Sequence, residues 1–321
     1  MAISTAAVEM RREARALGSP LRLTVAGRAD AAAVDLAWAA VIGTFDEVDR
    51  AMSRFREDSD ITKLNRARRP LAGLSRHLTA ALVAADRANR MTGGRFDARV
   101  VGALESLGFA AVRQSLTSPI GPAPRAERPI QRFMRRDGRR GEIELIEPVD
   151  LGGIGKGLAL RWAARRAAAE LGPVGFLLEA GGDLVSRGHH DNAPWSIGIE
   201  DPLGGRDLVA VVALDREQAI ATSSIRVGQR RAATGGVVHH LIDPRTGAPG
   251  GAGLVAVTVA WADPAWAEVW SKALFLEGAD AIGAAARRRG LAAWWVSESG
   301  QLSMTPAARQ QTSWVRGEAV A

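Results

Sequence analysis

Four stretches of the chain hold residue types that could do chemistry. The first is Asp150-Leu-Gly-Gly-Ile-Gly-Lys-Gly157, placed just before a helix-like run. Glycines let backbone N–H groups approach an anion, and a helix N-terminus favours negative charge. Lys156 adds a point charge. This suits a phosphate or pyrophosphate, and equally a tight turn that only needs glycine. It is neither a Walker A loop nor a G-x-G-x-x-G fingerprint. The second is Glu179-Ala-Gly-Gly-Asp183 at the end of an apolar run. There Gly181, Gly182 and Asp183 either cradle a ligand or make a bulge or tight turn. The third is His239-His240-Leu-Ile-Asp243-Pro-Arg-Thr-Gly247. A histidine near an aspartate reads as a general base with its orienting carboxylate, or as a metal site, or as one core and one exposed histidine. In a strand, adjacent histidines face opposite ways, so only one enters a given site. The fourth is Thr92-Gly-Gly-Arg-Phe-Asp97, a helix C-cap and loop whose Asp97 could hold a polar ligand edge.

The elements that must position these residues follow from periodicity. Val34, Ala37, Val41, Ile42, Phe45 and Val48 recur at helical spacing, predicting a helix over 29–52 with Asp30 as N-cap. A turn and short helix follow over 53–65, then a helix over 75–91 ended by Gly93-Gly94. Residues 115–130 are rich in Pro and Ser and read as a surface connection. Asp137-Gly138 between two alternating runs predicts a hairpin. Beyond Asp150 the pattern is a glycine loop, a helix over 157–171, a strand over 174–179 and a glycine turn over 180–183. Strands are expected near 195–199, 208–214, 219–222, 237–242, 254–261 and 291–297, with a helix over 265–286. Strands come partly in runs and partly alternate with helices, which predicts an α+β fold.

The 321 residues suffice for one large domain or two modest ones, and 47% hydrophobic with 24% charged residues is a globular balance. Absent cysteine excludes disulfides, a cysteine nucleophile and Cys-ligated zinc or iron–sulfur centres. Absent tyrosine removes that acid, base and ring. Of the 42 basic residues only Lys63, Lys156 and Lys272 are lysines, so each lysine is the rarer choice. The arginine excess reads as compositional bias, and the net charge of +7 gives little reason to expect a nucleic-acid partner. The run Arg125, Arg128, Arg132, Arg135, Arg136, Arg139 and Arg140 reads as a solvated face, with an anion-binding or partner-binding patch as the lesser reading. No signal peptide and no membrane span are visible, so a cytoplasmic place is expected.

Taken in order, EDSDITKLN, TGGRFDARV, DLGGIGKG, EAGGD, ATSS, HHLIDPRTG and AEVWSKALFLEG make the chain resemble the ApbE family of FAD:protein FMN transferases, over roughly residues 15–300. The resemblance implies a single α+β, T-fold-like unit of mixed sheets and flanking helices over 15–314, with an N-terminal extension over 1–14 and a frayed tail over 315–321. It implies that FAD is bound and, with Mg²⁺, cleaved at its pyrophosphate. FMN passes to a Ser or Thr hydroxyl of an acceptor protein and AMP is released. The family's flavin contacts fall on Leu17, Phe55, Arg95, Phe96, Asp97, Asp150, Lys156 and Leu241, with Gly181, Gly182 and Asp183 in the second glycine turn. His240 takes the place of the base that deprotonates the acceptor hydroxyl, with Asp243 nearby.

The chain departs from the family around the metal. The family uses the carbonyl at Gly153 and, in the late helix, an Asp and a Thr four residues on; here those two are Glu268 and Lys272, with Ser271 beside them. Lysine is no ligand while protonated, and its ammonium could sit where the ion would. The family's T-S-G-D-Y-like segment reads Thr222-Ser-Ser-Ile-Arg226, and Arg161 replaces a family Asp. Three functions are therefore expected to compete. One is an active transferase with a modified metal site. Another is an FAD-binding protein or FAD pyrophosphatase that has lost transfer. The last is a module that binds anionic polymers through the arginine-rich hairpin.

Overall fold

The computed structural model describes residues 9–27, 29–109, 132–204, 207–226, 228–231 and 237–318. The chain opens with a hairpin, β1 (Met10–Ala16) and β2 (Ser19–Val25). Helices α1 (Ala31–Met52), α2 (Asp60–Arg66), α3 (Arg76–Met91) and α4 (Val101–Ser106) follow. A second hairpin, β3 (Met134–Asp137) and β4 (Glu142–Leu145), precedes α5 (Gly155–Leu171). Next come β5 (Phe176–Ala180), β6 (Asp183–Arg187), β7 (Trp195–Glu200), β8 (Leu208–Leu214) and β9 (Gln218–Ser224). Four two-residue pieces follow: β10 (Arg230–Arg231), β11 (Val237–Val238), β12 (Ile242–Asp243) and β13 (Ala248–Pro249). The chain closes with β14 (Leu254–Trp261), α6 (Pro264–Phe275), α7 (Ala279–Arg288), β15 (Ala292–Ser297), β16 (Leu302–Met304), α8 (Pro306–Arg309) and β17 (Thr312–Val315).

The backbone of the fold is an eight-stranded sheet in the order β1-β2-β5-β6-β9-β14-β15-β16. Side chains alternate across it, as the pleat requires. Leu21, Leu23, Val25, Phe176, Leu178 and Ala180 join the core beneath the helices, among them α1 and α5. Leu177, Leu184, Ile220 and Trp294 point the other way and pack on a three-stranded sheet, β17-β8-β7, through Trp195, Ile197, Val212 and Leu214. The result is three layers: helices, a large sheet and a small sheet. This is the expected α+β class, but every described pairing in the two sheets is antiparallel, where mixed sheets were expected.

Local signals explain most elements. Asp30 caps α1 by accepting from the Ala32 N–H at 3.2 Å, and Ser75 caps α3 through Leu78 at 3.2 Å. Other expectations need correction. The helix predicted over 265–286 is two helices, because Gly278 adopts φ +78 and starts a new one. The strand predicted over 237–242 breaks, because β11 pairs with β10 and β12 with β13, leaving both histidines between them. The hairpin predicted at Asp137-Gly138 forms as β3–β4, its turn spanning 138–141 with Asp137 accepting from the Arg139 and Arg140 N–H groups and Gly141 at φ +65. β1 begins at Met10, inside the stretch expected to be an extension. At the other end Arg316 donates its backbone N–H to Val209 and pairs with Asp201 at 2.6 Å, so residues 315–318 are fastened rather than frayed. The connection at 115–130, with Arg125 and Arg128, lies outside the described residues. Arg132, Arg135, Arg136, Arg139 and Arg140 are exposed. No described helix is long and apolar enough to cross a membrane.

Candidate active site

Two tight turns meet at one end of the strands of the large sheet. Leu17 and Gly18 join β1 to β2 with φ of 48° and 73°, between the paired residues Ala16 and Ser19. Gly181 and Gly182 join β5 to β6 with φ of 60° and 90°, between Ala180 and Asp183. Both are two-residue hairpin turns needing positive φ at both central positions, which is uncommon for a leucine. Because β2 and β5 are neighbours, the turns touch: Gly181 N–H donates to the Pro20 carbonyl at 2.9 Å. A Cβ on Gly181 would lie 2.6 Å from Ser19 Oγ, and the stem of Lys156 passes just beyond, 4.0 Å from it.

Beneath the turns lies a cluster of four charges. Asp183 accepts the Thr222 N–H at 3.0 Å and pairs with the Lys156 ammonium. Glu268, on α6, is 1% exposed. One of its oxygens accepts the Gly157 N–H in the first turn of α5 at 2.8 Å; the other faces the ammoniums of Lys272 at 3.3 Å and Lys156 at 3.9 Å. A carboxylate at a helix N-terminus is favourable, and α5 has no side-chain cap of its own. Burial would lower the Lys156 pKa, but the charges of Asp183 and Glu268 outweigh it and hold the ammonium above the ordinary lysine range. The Lys272 stem and the Phe96 ring close on Gly153, where a Cβ would fall 3.3 Å from Lys272 Cδ and 2.8 Å from the ring. Ser271 is buried and bonded to Ser223 Oγ at 2.8 Å and the Glu268 carbonyl at 2.9 Å.

The glycine loop is held to α6 by backbone contact as well. A Cβ on Gly157 would sit 2.4 Å from the Pro264 carbonyl oxygen and 2.5 Å from Ala265 Cα. Neither backbone atom can swing away. Gly157→Ala is therefore expected to cost about 1–3 kcal/mol through overpacking and to loosen the Glu268 bond. A thermal melt checks this, and an unchanged midpoint contradicts it. Arg161 braces the same junction by pairing with Asp263, the N-cap of α6.

Other predicted residues have partners of their own. Asp150 pairs with Arg54 and accepts the Gly152 N–H at 2.6 Å, so it closes the glycine loop. Arg54 also lies over the Phe55 ring at 4.5 Å, and that ring is 64% exposed. Asp97 takes Arg99 as a bidentate partner at 2.7–3.1 Å. Arg95 binds Glu277 at 2.7 Å and reaches Asp243 at 3.9 Å, while Asp243 is gripped by Arg245 at 2.6 Å. Burial would raise the Asp243 pKa, but Arg245 outweighs it and holds the carboxyl low. His239 sits edge-on to Phe275, and burial keeps its pKa below the ordinary range. Leu241 is buried in the α6–α7 core. The His240 ring lies beside Gly228, where a Cβ would be 3.1 Å from Nδ1.

The structure thus unites Lys156, Asp183, Gly181, Gly153, Phe96, Glu268 and Lys272. A second group holds Arg95, Asp243 and Arg245. The two adjoin through the neighbouring residues Arg95 and Phe96. Sequence reasoning missed Arg54; Arg99, Ser223, Arg245 and Glu277 stood in view inside the TGGRFDARV, Thr222–Arg226, Asp-Pro-Arg-Thr-Gly and AEVWSKALFLEG segments but were given no role.

Residues 17–295 match the model of the ApbE family. The chain belongs to the ApbE family. A relative named FAD:protein FMN transferase from Klebsiella pneumoniae is 28% identical, over 95% of this chain and 89% of its own length. One of the same name from Salmonella typhimurium is also 28% identical, over 90% and 84%. The crystal structure of the ApbE protein from Thermotoga maritima superposes with a TM-score of 0.82 at 24% identity, covering 95% of this chain and 99% of that one. The flavin transferase ApbE from Vibrio cholerae gives 0.77 at 22%, covering 95% and 99%. At these identities the superpositions show the shared ApbE fold.

The ApbE resemblance implies a magnesium ion at Gly153, Glu268 and the position of Lys272, and the residues present do not fit one. Among the described residues no group of three or more His, Asp or Glu could hold a metal. One Glu268 oxygen is spent on Gly157 and the other faces two ammoniums. The Ser271 hydroxyl is bonded to Ser223 and to a backbone carbonyl. A protonated lysine offers no lone pair.

Proposed function

We propose that this chain is an FAD:protein FMN transferase. It binds FAD, cleaves the pyrophosphate, joins FMN to a Ser or Thr hydroxyl of an acceptor protein and releases AMP. The observation that carries this reading is the polarity of the charge cluster. The side chains of Lys156 and Lys272 are 27% and 19% exposed, while those of Asp183 and Glu268, which they pair with, are 3% and 1% exposed. The outer side of the cluster is cationic and lies beside a glycine loop and the start of α5. That is a place for the oxygens of a pyrophosphate.

In the transfer, the acceptor oxygen forms a bond to the FMN phosphorus. The bond from that phosphorus to the bridging oxygen breaks, and AMP leaves with that oxygen. Charge grows on the phosphoryl oxygens and the leaving group, where fixed cations and amides stabilise it. The hydroxyl is a weak nucleophile and needs a base. His240 takes its proton. Phe55 offers an exposed face, backed by Arg54, on which a flavin ring can stack.

His240→Ala is expected to keep FAD binding and to lower transfer by about 10²–10⁴-fold. Mass spectrometry of the acceptor for an FMN-sized gain, with chromatography for AMP, gives the readout. An undiminished rate would remove His240 as the base. AMP without a mass gain on any Ser- or Thr-bearing acceptor would mark a pyrophosphatase, and binding without AMP an FAD carrier.

A further inference from the structure

We propose that the ammonium of Lys272 is the resident cation of this site, so that FAD is bound and its pyrophosphate cleaved without a divalent metal ion. The proposal rests on the reading that the site takes FAD.

Lys272 lies one helical turn beyond Glu268 on α6, with its ammonium 3.3 Å from the carboxylate. Its stem runs along the glycine loop: Cδ and Cε would be 3.3 and 3.5 Å from a Cβ on Gly153. The ammonium is thereby anchored from below by a buried carboxylate and from the side by the loop that approaches the phosphates. A divalent ion brought to the same carboxylate would meet two positive charges, Lys272 and Lys156, and find one Glu268 oxygen already engaged by Gly157. The four charges, Lys156 and Lys272 against Asp183 and Glu268, balance before any ligand arrives. Only Lys63, Lys156 and Lys272 are lysines in this chain, and two of the three stand in this cluster.

An ammonium gives up to three hydrogen bonds and one charge to phosphate oxygens, without ligand exchange. Lys156 and Lys272 together supply two charges. In the cleavage step the bond between the FMN phosphorus and the bridging oxygen breaks as the acceptor oxygen bonds to that phosphorus. The charge left on AMP is met by ammonium N–H groups, and the hydroxyl proton passes to His240.

Two measurements on the full chain test this. Flavin fluorescence titration gives the FAD affinity in EDTA and in Mg²⁺. Mn²⁺ electron paramagnetic resonance, with FAD present, reports bound metal directly. The unaltered protein is expected to bind FAD equally in both buffers and to leave Mn²⁺ free. Lys272→Thr replaces the ammonium by a possible ligand. It is expected to bind Mn²⁺ and to lose FAD affinity in EDTA by about 10- to 100-fold, the effect of one charge-assisted hydrogen bond. If that variant fails to fold, Lys272→Met keeps the stem on Gly153 and is expected to show the same loss in EDTA. Stoichiometric Mn²⁺ binding by the unaltered protein, or a tenfold loss of its FAD affinity in EDTA, overturns the proposal and leaves the functional reading standing. No FAD binding in either buffer overturns both.

Discussion

Lys156→Met is expected to reduce AMP release from FAD by about 10²–10³-fold, the range for losing one preorganised electrostatic group in a transition state. Methionine keeps the apolar stem that runs past Gly181 and removes only the charge. The Asp183 and Glu268 carboxylates, 3.0 Å from the Thr222 N–H and 2.8 Å from the Gly157 N–H, then lose a shared counter-ion. Without that counter-ion they would repel an approaching pyrophosphate. Stability should fall too, because removing one partner of a buried pair leaves the other charge uncompensated, at about 3–5 kcal/mol. The lower end applies, since Lys156 keeps some contact with solvent. Turnover and FAD affinity, measured with a thermal melt, separate the two effects. A variant that melts lower but turns over at the original rate would make Lys156 a structural residue alone.

Glu268→Gln is expected to cause the largest loss of stability. The amide oxygen can still accept the Gly157 N–H, so geometry at the start of α5 is retained. The negative charge is not. Lys156 and Lys272 would then face each other with only Asp183 to balance them. A cost of about 3–5 kcal/mol lowers the melting midpoint of a chain of this length by roughly 4–8 °C. Adding Lys272→Met should restore part of the loss, because it removes one of the two like charges, and the coupling between the substitutions measures their interaction. If the single variant melts unchanged, or the double variant is no more stable than the single one, the four charges do not act as a unit.

Some of this was legible in the sequence. β8 and β14 coincide with their predicted ranges, and α1 starts at its predicted cap, because apolar spacing and a capping aspartate both act over a few residues. The break between α6 and α7 was not legible. The helical apolar pattern runs on through Gly278, and only packing decides that the glycine turns there. The two-residue pieces around His239 and His240 are too short to carry any periodicity.

The site divides in the same way. The glycine loop and Lys156 are visible as a local pattern. Their partners are not, since Asp183 lies 27 residues away in sequence and the Glu268–Gly157 bond spans 111. Only the sheet order, which places β6 next to β9 and β9 next to β14, brings them together. The resemblance to a family marked positions 268 and 272 as unusual. That the Glu268 side chain is buried while that of Lys272 keeps some contact with solvent became apparent only from the structure.

The most direct test of the central claim is AMP release from FAD by the full chain in EDTA, with a Ser- or Thr-bearing flavin-acceptor protein present and its mass followed in parallel. The expected result is AMP together with an FMN-sized gain on the acceptor, at a rate that added Mg²⁺ leaves unchanged. Tight FAD binding with no AMP, in EDTA or in Mg²⁺, would contradict it: the ammonium-lined site would then hold the dinucleotide without cutting it.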